Sequence, residues 1–268
     1  MDKDTQRRLI AANTRFYQQN AQSFGATRRD GWEGWDEALP HLLRGLGTGA
    51  RPLVDLACGN LRFEAYLAQR APELAVDVVA VDNCAPLLNG RVQRELGRLC
   101  VRTHEADILA ALMATGARPA AQPTDGTGAG TGTAGAACCF GFMHHVPGHA
   151  LRADLLLGIC DLLAPGGVAV VSFWQFMHDD RLAKKARATT PAAREALGIA
   201  GDELEANDYF LGWQDTRQSW RYCHHTTDEE IDRMLEQVRG ELCVTERARF
   251  SADGKSHNLN RYLVLQRT

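Results

Sequence analysis

The sequence has little net charge and no long hydrophobic run. Its 268 residues carry a formal net charge of −3, so the global excess of basic residues typical of nucleic-acid-binding proteins is missing, although a local basic patch would suffice. No apolar run reaches the roughly 20 residues that a membrane-spanning helix needs. The N-terminus, Met1-Asp-Lys-Asp, does not resemble a signal peptide. We therefore expect a cytoplasmic protein without a membrane partner.

The cysteines form no familiar metal or redox motif. The chain has eight cysteines, and no two of them have the Cys-x-x-Cys spacing. Most of them lie inside apolar stretches that are typical of strands or helices. These observations predict buried free thiols in a reducing compartment.

Several catalytic and nucleotide-binding motifs are absent as well. The chain contains no Gly-x-Ser-x-Gly and no His-Glu-x-x-His. Asp253-Gly-Lys-Ser256 is similar to the end of a phosphate-binding loop, but Arg249 stands where the first glycine is needed, and a strand follows instead of a helix. The turn after the first predicted strand contains only Gly59, whereas a dinucleotide's pyrophosphate needs several close backbone approaches. NAD is therefore disfavoured as a cofactor.

What the chain does contain is a strand, a tight turn and a helix, followed by a strand that ends in an acid. Residues 53–60 read Leu-Val-Asp-Leu-Ala-Cys-Gly-Asn, and the strand at 76–81 leads directly into Asp82. In such an arrangement the turn lets the backbone approach a ligand, and the second acid pairs with ribose hydroxyls. A nucleoside with an uncharged thioether-type tail needs fewer close approaches, so the spacing favours S-adenosylmethionine.

The hydrophobic pattern alternates between strands and helices with short turns. Apolar residues are 45% and charged residues 24% of the chain, which is ordinary for a globular protein. We predict a single α/β domain with a doubly wound, mostly parallel seven-stranded sheet, Rossmann-like in type, preceded by an N-terminal helical cap over 1–46. Predicted strands are 53–57, 76–81, 100–105, 137–142, 168–174, 241–250 and 258–266. Predicted helices are 5–23, 36–46, 62–70, 85–98, 149–163, 179–199 and 227–239.

Two segments interrupt this alternation. Residues 111–136 are rich in Ala, Gly, Thr and Pro, and they are predicted to form a flexible surface loop because they can bury little apolar surface. Residues 175–226 follow the fifth strand and contain several aromatic residues. Ligands bind beyond the carboxyl ends of parallel strands, so this insertion after strand five is predicted to act as a lid.

The order of the motifs over 53–174 resembles that of class I S-adenosylmethionine-dependent methyltransferases. The pieces are Asp55 to Asn60, Val-Asp82, Ala-Asp107, the strand before His144-His145, and Leu-Ala-Pro-Gly-Gly. The resemblance implies that Asp55 and the backbone of Ala57, Cys58 and Gly59 hold the methionine part of the cofactor. It also implies that Asp82 contacts the ribose. The adenine would be contacted by Asn83, Asp107 and Ile108, and the site of methyl transfer would be lined by Phe142 and Met143. The sequence departs from the pattern at Ala57 and Leu61, where glycines are usual.

A second, narrower resemblance is to the tRNA wobble-uridine carboxymethyl methyltransferases. It rests on Tyr17-x-x-x-Ala-x-x-Phe-x-x-Thr-Arg28 followed by Trp32, on Arg221-Tyr-Cys-His224, and on the paired histidines. By spacing, Tyr17 and Arg28 fit a helix face that closes over the cofactor, with Arg28 pairing the carboxylate of the methionine part or of a substrate. They fit equally well a core-packing face with an ordinary surface arginine.

His144 and His145 are the candidate catalytic residues. In extended structure adjacent residues point opposite ways, so one of them is expected to face the pocket, and a hydrogen-bonded histidine at a strand end is the alternative. No carboxylate or Cys spacing supports a metal site beside them. A phenol or amine acceptor would need one of these histidines as a base, whereas a carboxylate acceptor needs none.

Three functions remain open at this stage. The leading hypothesis is methylation of a carboxymethyl group on a tRNA wobble uridine, and the alternative is a small-molecule O- or N-methyltransferase. A non-catalytic cofactor-binding module that acts through partners is the hypothesis of another class. The sequence leaves the need for an activating protein partner open.

Overall fold

The computed structural model describes residues 1–27, 30–47, 51–88, 95–115, 130–213 and 219–268. The helices described are α1 (Lys3–Ala26), α2 (Glu33–Leu46), α3 (Arg62–Arg70), α4 (Ala85–Leu88), α5 (Ile108–Thr115), α6 (His149–Leu162), α7 (Asp180–Leu197) and α8 (Asp228–Glu241). The strands are β1 (Leu53–Leu56), β2 (Asp77–Asp82), β3 (Cys100–Glu105), β4 (Ala134–Cys139), β5 (Leu163–Trp174), β6 (Asp208–Gly212), β7 (Trp220–His224), β8 (Val244–Ala252) and β9 (Asn260–Arg267).

Seven of these strands form one sheet in the order β3-β2-β1-β4-β5-β9-β8. The first five strands in this order are parallel, and β9 is antiparallel to both β5 and β8. The chain order reverses between β1 and β4, and such a switch point opens a crevice at the carboxyl ends of the strands. The predicted mostly parallel seven-stranded sheet is confirmed.

Helices cover both faces of this sheet. Trp35 of α2 and Phe63 of α3 pack with Val78 and Val170 on one face. On the other face, apolar residues of α5, α6 and α8 pack against alternate residues of the same strands. A parallel sheet needs both layers because its strands are buried on both sides, and every residue of β1 and β4 is buried.

β4 begins three residues earlier than predicted. Its first residues are small and therefore gave no strand signal in the sequence. The segment Ala134-Gly-Ala resembles a loop by composition, yet it lies in the sheet beside β1. A Cβ on Gly135 would lie 3.0 Å from the carbonyl oxygen of Gly45 in α2. The close approach of this helix requires small side chains on the strand, so here packing outweighs strand propensity.

The loop predicted over 111–136 is wrong at both ends. Residues 111–115 continue α5, and residues 134–136 belong to β4. Residues 116–129 lie outside the described residues, as do residues 89–94 of the helix that was predicted over 85–98.

The insertion over 175–226 contains a second sheet that the sequence analysis did not predict. β6 and β7 form an antiparallel pair, and α7 lies beside β6. Leu9 of α1 packs with Phe210 and Tyr222 of this pair. The N-terminal helix and the insertion therefore form one structure over the carboxyl edge of the main sheet.

A chain of charged groups, all buried except the half-buried Glu205, connects the second sheet to the main domain. Arg152 of α6 is fully buried and donates to Glu230 of α8 at 2.5 Å and to Glu205 at 2.8 Å. The other Glu230 carboxylate oxygen lies 2.7 Å from Nε2 of His224, and Nδ1 of His224 lies 2.7 Å from Asp208. We call these five residues the buried charge network. Separating the second sheet from α6 and α8 would leave the buried Arg152 and Glu230 without the partners that Glu205 and His224 provide.

All eight cysteines are free thiols, as predicted. Cys100 and Cys243 are exposed, and the others are buried or half-buried. Among the described residues, no helix has both the length and the apolar character needed to cross a membrane.

Candidate active site

The carboxyl ends of β1, β2, β4 and β5 open into one cavity of about 980 Å³. The loop after β1 and the acid that ends β2 line one side of the cavity. Residues of α1, β6 and β7 also line it, so the N-terminal helix and the second sheet cover the edge where a parallel sheet binds ligands.

The loop after β1 turns through three left-handed residues. Ala57, Gly59 and Leu61 have φ angles of 61°, 59° and 56°. A Cβ on Gly59 would have no heavy atom within 4 Å, so the backbone faces open space that a ligand can enter. The loop thus has the shape that glycines would favour, although two of its three left-handed residues carry side chains.

Replacing Ala57 by glycine is expected to stabilise the fold by about 0.5–1 kcal/mol. A left-handed L-residue costs roughly 1–2 kcal/mol, and the greater entropy of glycine in the unfolded chain offsets only part of that gain. Urea unfolding of Ala57→Gly measures the effect. The matched control is Ala68→Gly inside α3, which we expect to lose about 1 kcal/mol. Equal losses in both variants would contradict the strain at position 57.

Asp82 joins the loop after β1 to the end of β2. One of its carboxylate oxygens accepts from the backbone N–H of Gly59 at 2.9 Å, and the other accepts from Cys84 at 2.8 Å. Burial raises the pKa of Asp82, although these backbone N–H groups oppose the shift. Each carboxylate oxygen keeps further lone pairs, so the group is able to accept from ligand hydroxyls in the cavity.

Asp107 and Asn83 form the next part of the wall. Asp107 accepts from the backbone N–H of Ala110 at 2.9 Å and so caps the start of α5. The side-chain amide of Asn83 donates to the other Asp107 oxygen at 3.4 Å. Ile108 lines the same part of the cavity. The structure therefore brings Asn83, Asp107 and Ile108 together beside Asp82, as the sequence analysis predicted.

Asp55 lies at the bottom of the cavity beside a second acid. It is almost fully buried at the end of β1, and Glu64 of α3 is buried next to it. Burial, and then the neighbouring Glu64 carboxyl, raise the pKa of Asp55 well above its ordinary value. Two neighbouring buried carboxyl groups resist ionising together, and a cationic group that entered the cavity would favour the ionised form.

The two candidate histidines form a tight pair. Residues 143–145 form one turn of 3₁₀-helix, so the expectation of an extended segment with opposite-facing side chains is wrong. The ring centroids of His144 and His145 are 3.9 Å apart, and both rings line the cavity. The ring centroid of Trp174, at the end of β5, lies 4.9 Å from that of His144.

Hydrogen bonds determine the tautomer of His145. Its Nδ1 lies 2.8 Å from the carbonyl oxygen of Tyr222, so Nδ1 carries the proton. Its Nε2 therefore accepts from the Tyr17 hydroxyl, 2.7 Å away. Burial and the nearby Arg221 charge lower the pKa of His145 to about 3. His145 is thus neutral at physiological pH and holds Tyr17 at the cavity.

The N-terminal helix contributes more to this site than the sequence analysis recognised. Asn13 of α1 accepts from the backbone N–H of Tyr222 at 2.7 Å and donates to its carbonyl oxygen at 3.2 Å. Asn13 is four residues before Tyr17, so both lie on one helix face, and this spacing was the available signal. Arg221, the residue before Tyr222, also lines the cavity.

Two predicted site residues have other outcomes. Phe142 lines the cavity, but Met143 is fully buried in the main core and does not. The 3₁₀ turn is the reason, because it rotates Met143 toward α6 and the sheet. Arg28 lies outside the described residues.

Two clusters among the described residues have the composition of metal ligands. One comprises His144, His145 and Cys223, and the other Glu205, Asp208 and His224. In both clusters a histidine already uses its two ring nitrogens for hydrogen bonds to protein groups. A metal ion would have to break those hydrogen bonds.

No protein-family model and no curated protein matches this sequence. Solved structures do match over most of the chain. A SAM-dependent methyltransferase from Methanosarcina mazei is 13% identical, with a TM-score of 0.51 over 82% of this chain and 93% of that one. One from Clostridium acetobutylicum is 11% identical, with a TM-score of 0.54 over 88% and 92%. The DhpI–SAM–HEP complex is 18% identical, with a TM-score of 0.53 over 96% and 97%.

The chain has the class I methyltransferase fold. All three identities are below 20%, so the likeness is one of architecture. The resemblance inferred from the motifs over 53–174 is confirmed at this level. Within the methyltransferase fold, the loop after β1, Asp82 and Asp107 occupy the strand ends that the motif order predicted.

Proposed function

We propose that this protein is an S-adenosylmethionine-dependent methyltransferase. The observation that carries the proposal is the placement of Asp55, Asp82 and Asp107 along one cavity, next to the left-handed loop 57–61. The fold supports the same cofactor, since one similar structure is a complex with SAM. Ligand pockets measure about 300–1,000 Å³. This cavity, at about 980 Å³, has room for a nucleoside cofactor and a small acceptor.

The residues of the cavity fit the parts of this cofactor. Asp82 has lone pairs for the two ribose hydroxyls, and Asp107 has an oxygen for the exocyclic amine of adenine. Gly59 leaves its side-chain space open, and Asp55 lies where the ammonium of the methionine part would favour its ionised form. When bound, S-adenosylmethionine supplies a sulfonium methyl group whose carbon–sulfur bond breaks with the electron pair left on sulfur. The protein supplies alignment and excludes water.

His145 is unsuited to act as the base for an acceptor that must lose a proton. A general base works best when its pKa is near the working pH. The pKa of His145 is about 3, and its Nε2 already accepts from Tyr17. An acceptor that is already an anion, such as a carboxylate, needs no base. We therefore propose a carboxylate acceptor, with methyl ester formation as the reaction.

The enclosure of the cavity favours a small carboxylic acid. The two Asn13 hydrogen bonds to Tyr222 close α1 against β7 above the paired histidines. Trp213, the residue after β6, donates from its indole N–H to Ser23 of α1 at 3.1 Å, which adds a contact between α1 and the insertion. A small acceptor fits behind this cover.

A basic face on α7 favours the carboxymethyl group of a tRNA wobble uridine as the second candidate. Arg181 and Lys185 line the cavity, and Arg181, Lys184 and Arg187 are exposed beside it. Between residues 181 and 194 this helix contains no acidic residue. Phosphates are bound by such local clusters even where the net charge of the protein is negative.

The first test is calorimetric titration with S-adenosylmethionine and S-adenosylhomocysteine, followed by incubation with labelled S-adenosylmethionine and either bulk tRNA or a panel of small carboxylic acids. Cofactor binding with base-labile label on one acceptor class supports the proposal. Cofactor binding without transfer to either class favours the non-catalytic module. If neither ligand binds, the proposed function is wrong.

If tRNA is the acceptor, Lys184→Glu combined with Arg187→Glu weakens tRNA retention. A plot of log affinity against log salt has a negative slope, and each lost phosphate contact reduces the magnitude of this slope by about 0.7–0.9. The slope of the double variant is therefore expected to be shallower by about 1.5. Filter binding measures the slope between about 50 and 200 mM salt, where the expected change in affinity is large. Arg233→Glu with Arg239→Glu on α8 is the control with the same charge change. Equal slopes in both variants would exclude the α7 face.

A further inference from the structure

Arg221 of β7 is a buried cation without an acidic partner among the described residues. It is 7% exposed and lines the cavity. Its Nε and Nη1 atoms are buried and have no hydrogen-bond partner among the described residues, and the Cys223 thiol is the neighbouring polar group that interacts with the guanidinium. A buried guanidinium that lacks such partners is costly, so an arginine at this position needs a reason other than stability.

Aromatic rings surround the Arg221 guanidinium. Its Cζ atom lies 5.2 Å from the ring centroid of Phe16, 5.7 Å from that of Trp174 and 5.8 Å from that of Trp213. These rings stabilise a cation through their faces, but they accept no strong hydrogen bond. The N–H groups on Nε and Nη1 therefore remain available to a ligand.

The position of Arg221 is on the acceptor side of the cavity. It is next in the chain to Tyr222, whose carbonyl oxygen binds His145, and it lies close to Trp174 at the end of β5. Asp82 ends β2, and the order β2-β1-β4-β5 places it three strands away. At about 4.8 Å a strand, the two ends of the cavity are separated by roughly 14 Å.

We propose that Arg221 binds the carboxylate of the methyl acceptor. This inference rests on the proposed function and deepens it, because it assigns the acceptor as an organic acid with an apolar body. Charge-assisted hydrogen bonds from Nε and Nη1 hold the carboxylate, and the rings of Phe16, Trp174 and Trp213 contact the apolar body. The acid is either a small molecule or a carboxymethyl group on tRNA, since the recognising chemistry is the same.

The test uses benzoate as the probe and benzamide as its uncharged counterpart, each titrated into the protein saturated with S-adenosylhomocysteine. We expect the wild type to bind benzoate at least tenfold more tightly than benzamide. Arg221→Met removes this preference, and Arg221→Lys restores part of it. Arg181→Met, at another arginine that lines the cavity, retains it. Equal binding of the two probes by the wild type, or unchanged benzoate binding by Arg221→Met, would overturn the proposal.

Three further readouts separate the outcomes. S-adenosylhomocysteine affinity stays within about twofold in Arg221→Met, whereas a tenfold loss would place Arg221 on the cofactor's own carboxylate and overturn the assignment. The melting temperature of this variant is expected to be unchanged or raised, because the substitution removes a buried charge and leaves no carboxylate of the described residues without its partner. If the wild type binds no S-adenosylhomocysteine, the proposed function fails, and benzoate titration without it still tests Arg221. Loss of methyl transfer in Arg221→Met, measured separately with tRNA and with small acids, identifies the source of the carboxylate.

Discussion

Asp82→Asn weakens the binding of S-adenosylhomocysteine by about a hundredfold or more. Two ribose hydroxyls that donate to a carboxylate contribute roughly 1.5–3 kcal/mol each, and every 1.4 kcal/mol is a factor of ten in affinity. The amide keeps one oxygen but turns an N–H group toward a hydroxyl or toward the backbone N–H of Gly59. Calorimetric titration measures the affinity directly.

The control for this variant is Asp77→Asn at the other end of the same strand. Asp77 is exposed and pairs with Arg102 at 2.9 Å, far from the cavity lining. Its substitution is expected to leave the affinity unchanged. If Asp82→Asn also binds within threefold of the wild type, the ribose does not lie at the end of β2, and the proposed placement of the cofactor is wrong.

Arg152→Met lowers the free energy of unfolding by about 3–5 kcal/mol, which is the usual cost of leaving a buried charge without its partner. Arg152 donates to both Glu205 and Glu230, and its Nη1 donates to the carbonyl oxygen of Val146 at 3.0 Å. Methionine fills a similar volume but satisfies none of these acceptors. Urea unfolding at pH 6 measures this loss. A change in the free energy of unfolding below about 1 kcal/mol would contradict the prediction.

An exposed ion pair gives the matched control. Arg70 lies 2.8 Å from Asp36, and both side chains are more than half exposed. Arg70→Met is therefore expected to change stability by less than about 1 kcal/mol. Arg221→Met is the second comparison, since that arginine is also buried but, among the described residues, has no carboxylate partner such as those of Arg152.

The same network gives stability a defined pH dependence. Burial opposes ionisation of Glu230, but its hydrogen bond to His224 and the Arg152 charge outweigh burial and lower its pKa to about 2. Burial likewise opposes protonation of His224, but hydrogen bonds to Asp208 and Glu230 raise its pKa above 6.5. Glu230 thus stabilises the fold above its ordinary pKa of 4.5, and this contribution is lost as the pH falls toward 2. His224 contributes below pH 6.5 and ceases to contribute as the pH rises through its raised pKa.

Much of the main sheet was predictable because its signals are local. β1, β2 and the acid that ends β2 follow from short apolar runs that end in polar turns. The prediction was less accurate at β4 and α5. There the strand residues are small because α2 approaches through Gly45, and the helix residues adjoin a Gly-rich segment that obscures their pattern.

The second sheet was missed for a different reason. Its strands are short, and β6 reads Asp-Tyr-Phe-Leu-Gly, a pattern that fits a loop or a helix end equally well. These residues become strands because α7 lies beside β6 while Asn13 of α1 holds β7. Such contacts have no trace in the local sequence, since Asn13 and Tyr222 are far apart in the chain.

By itself, the sequence determined the part of the cavity that we propose for the cofactor: a tight turn and two acids at the ends of successive strands. Strand period and turn chemistry act over a few residues, so a single chain reveals them. Only the tertiary structure decided the part of the cavity that we propose for the acceptor. It placed Tyr17 against His145, made that histidine a neutral acceptor, and buried Arg221 among aromatic rings. Burial and contacts between distant side chains set the pKa of His145 and leave the Arg221 charge without a carboxylate partner among the described residues. Such burial and such contacts arise only when the chain is folded.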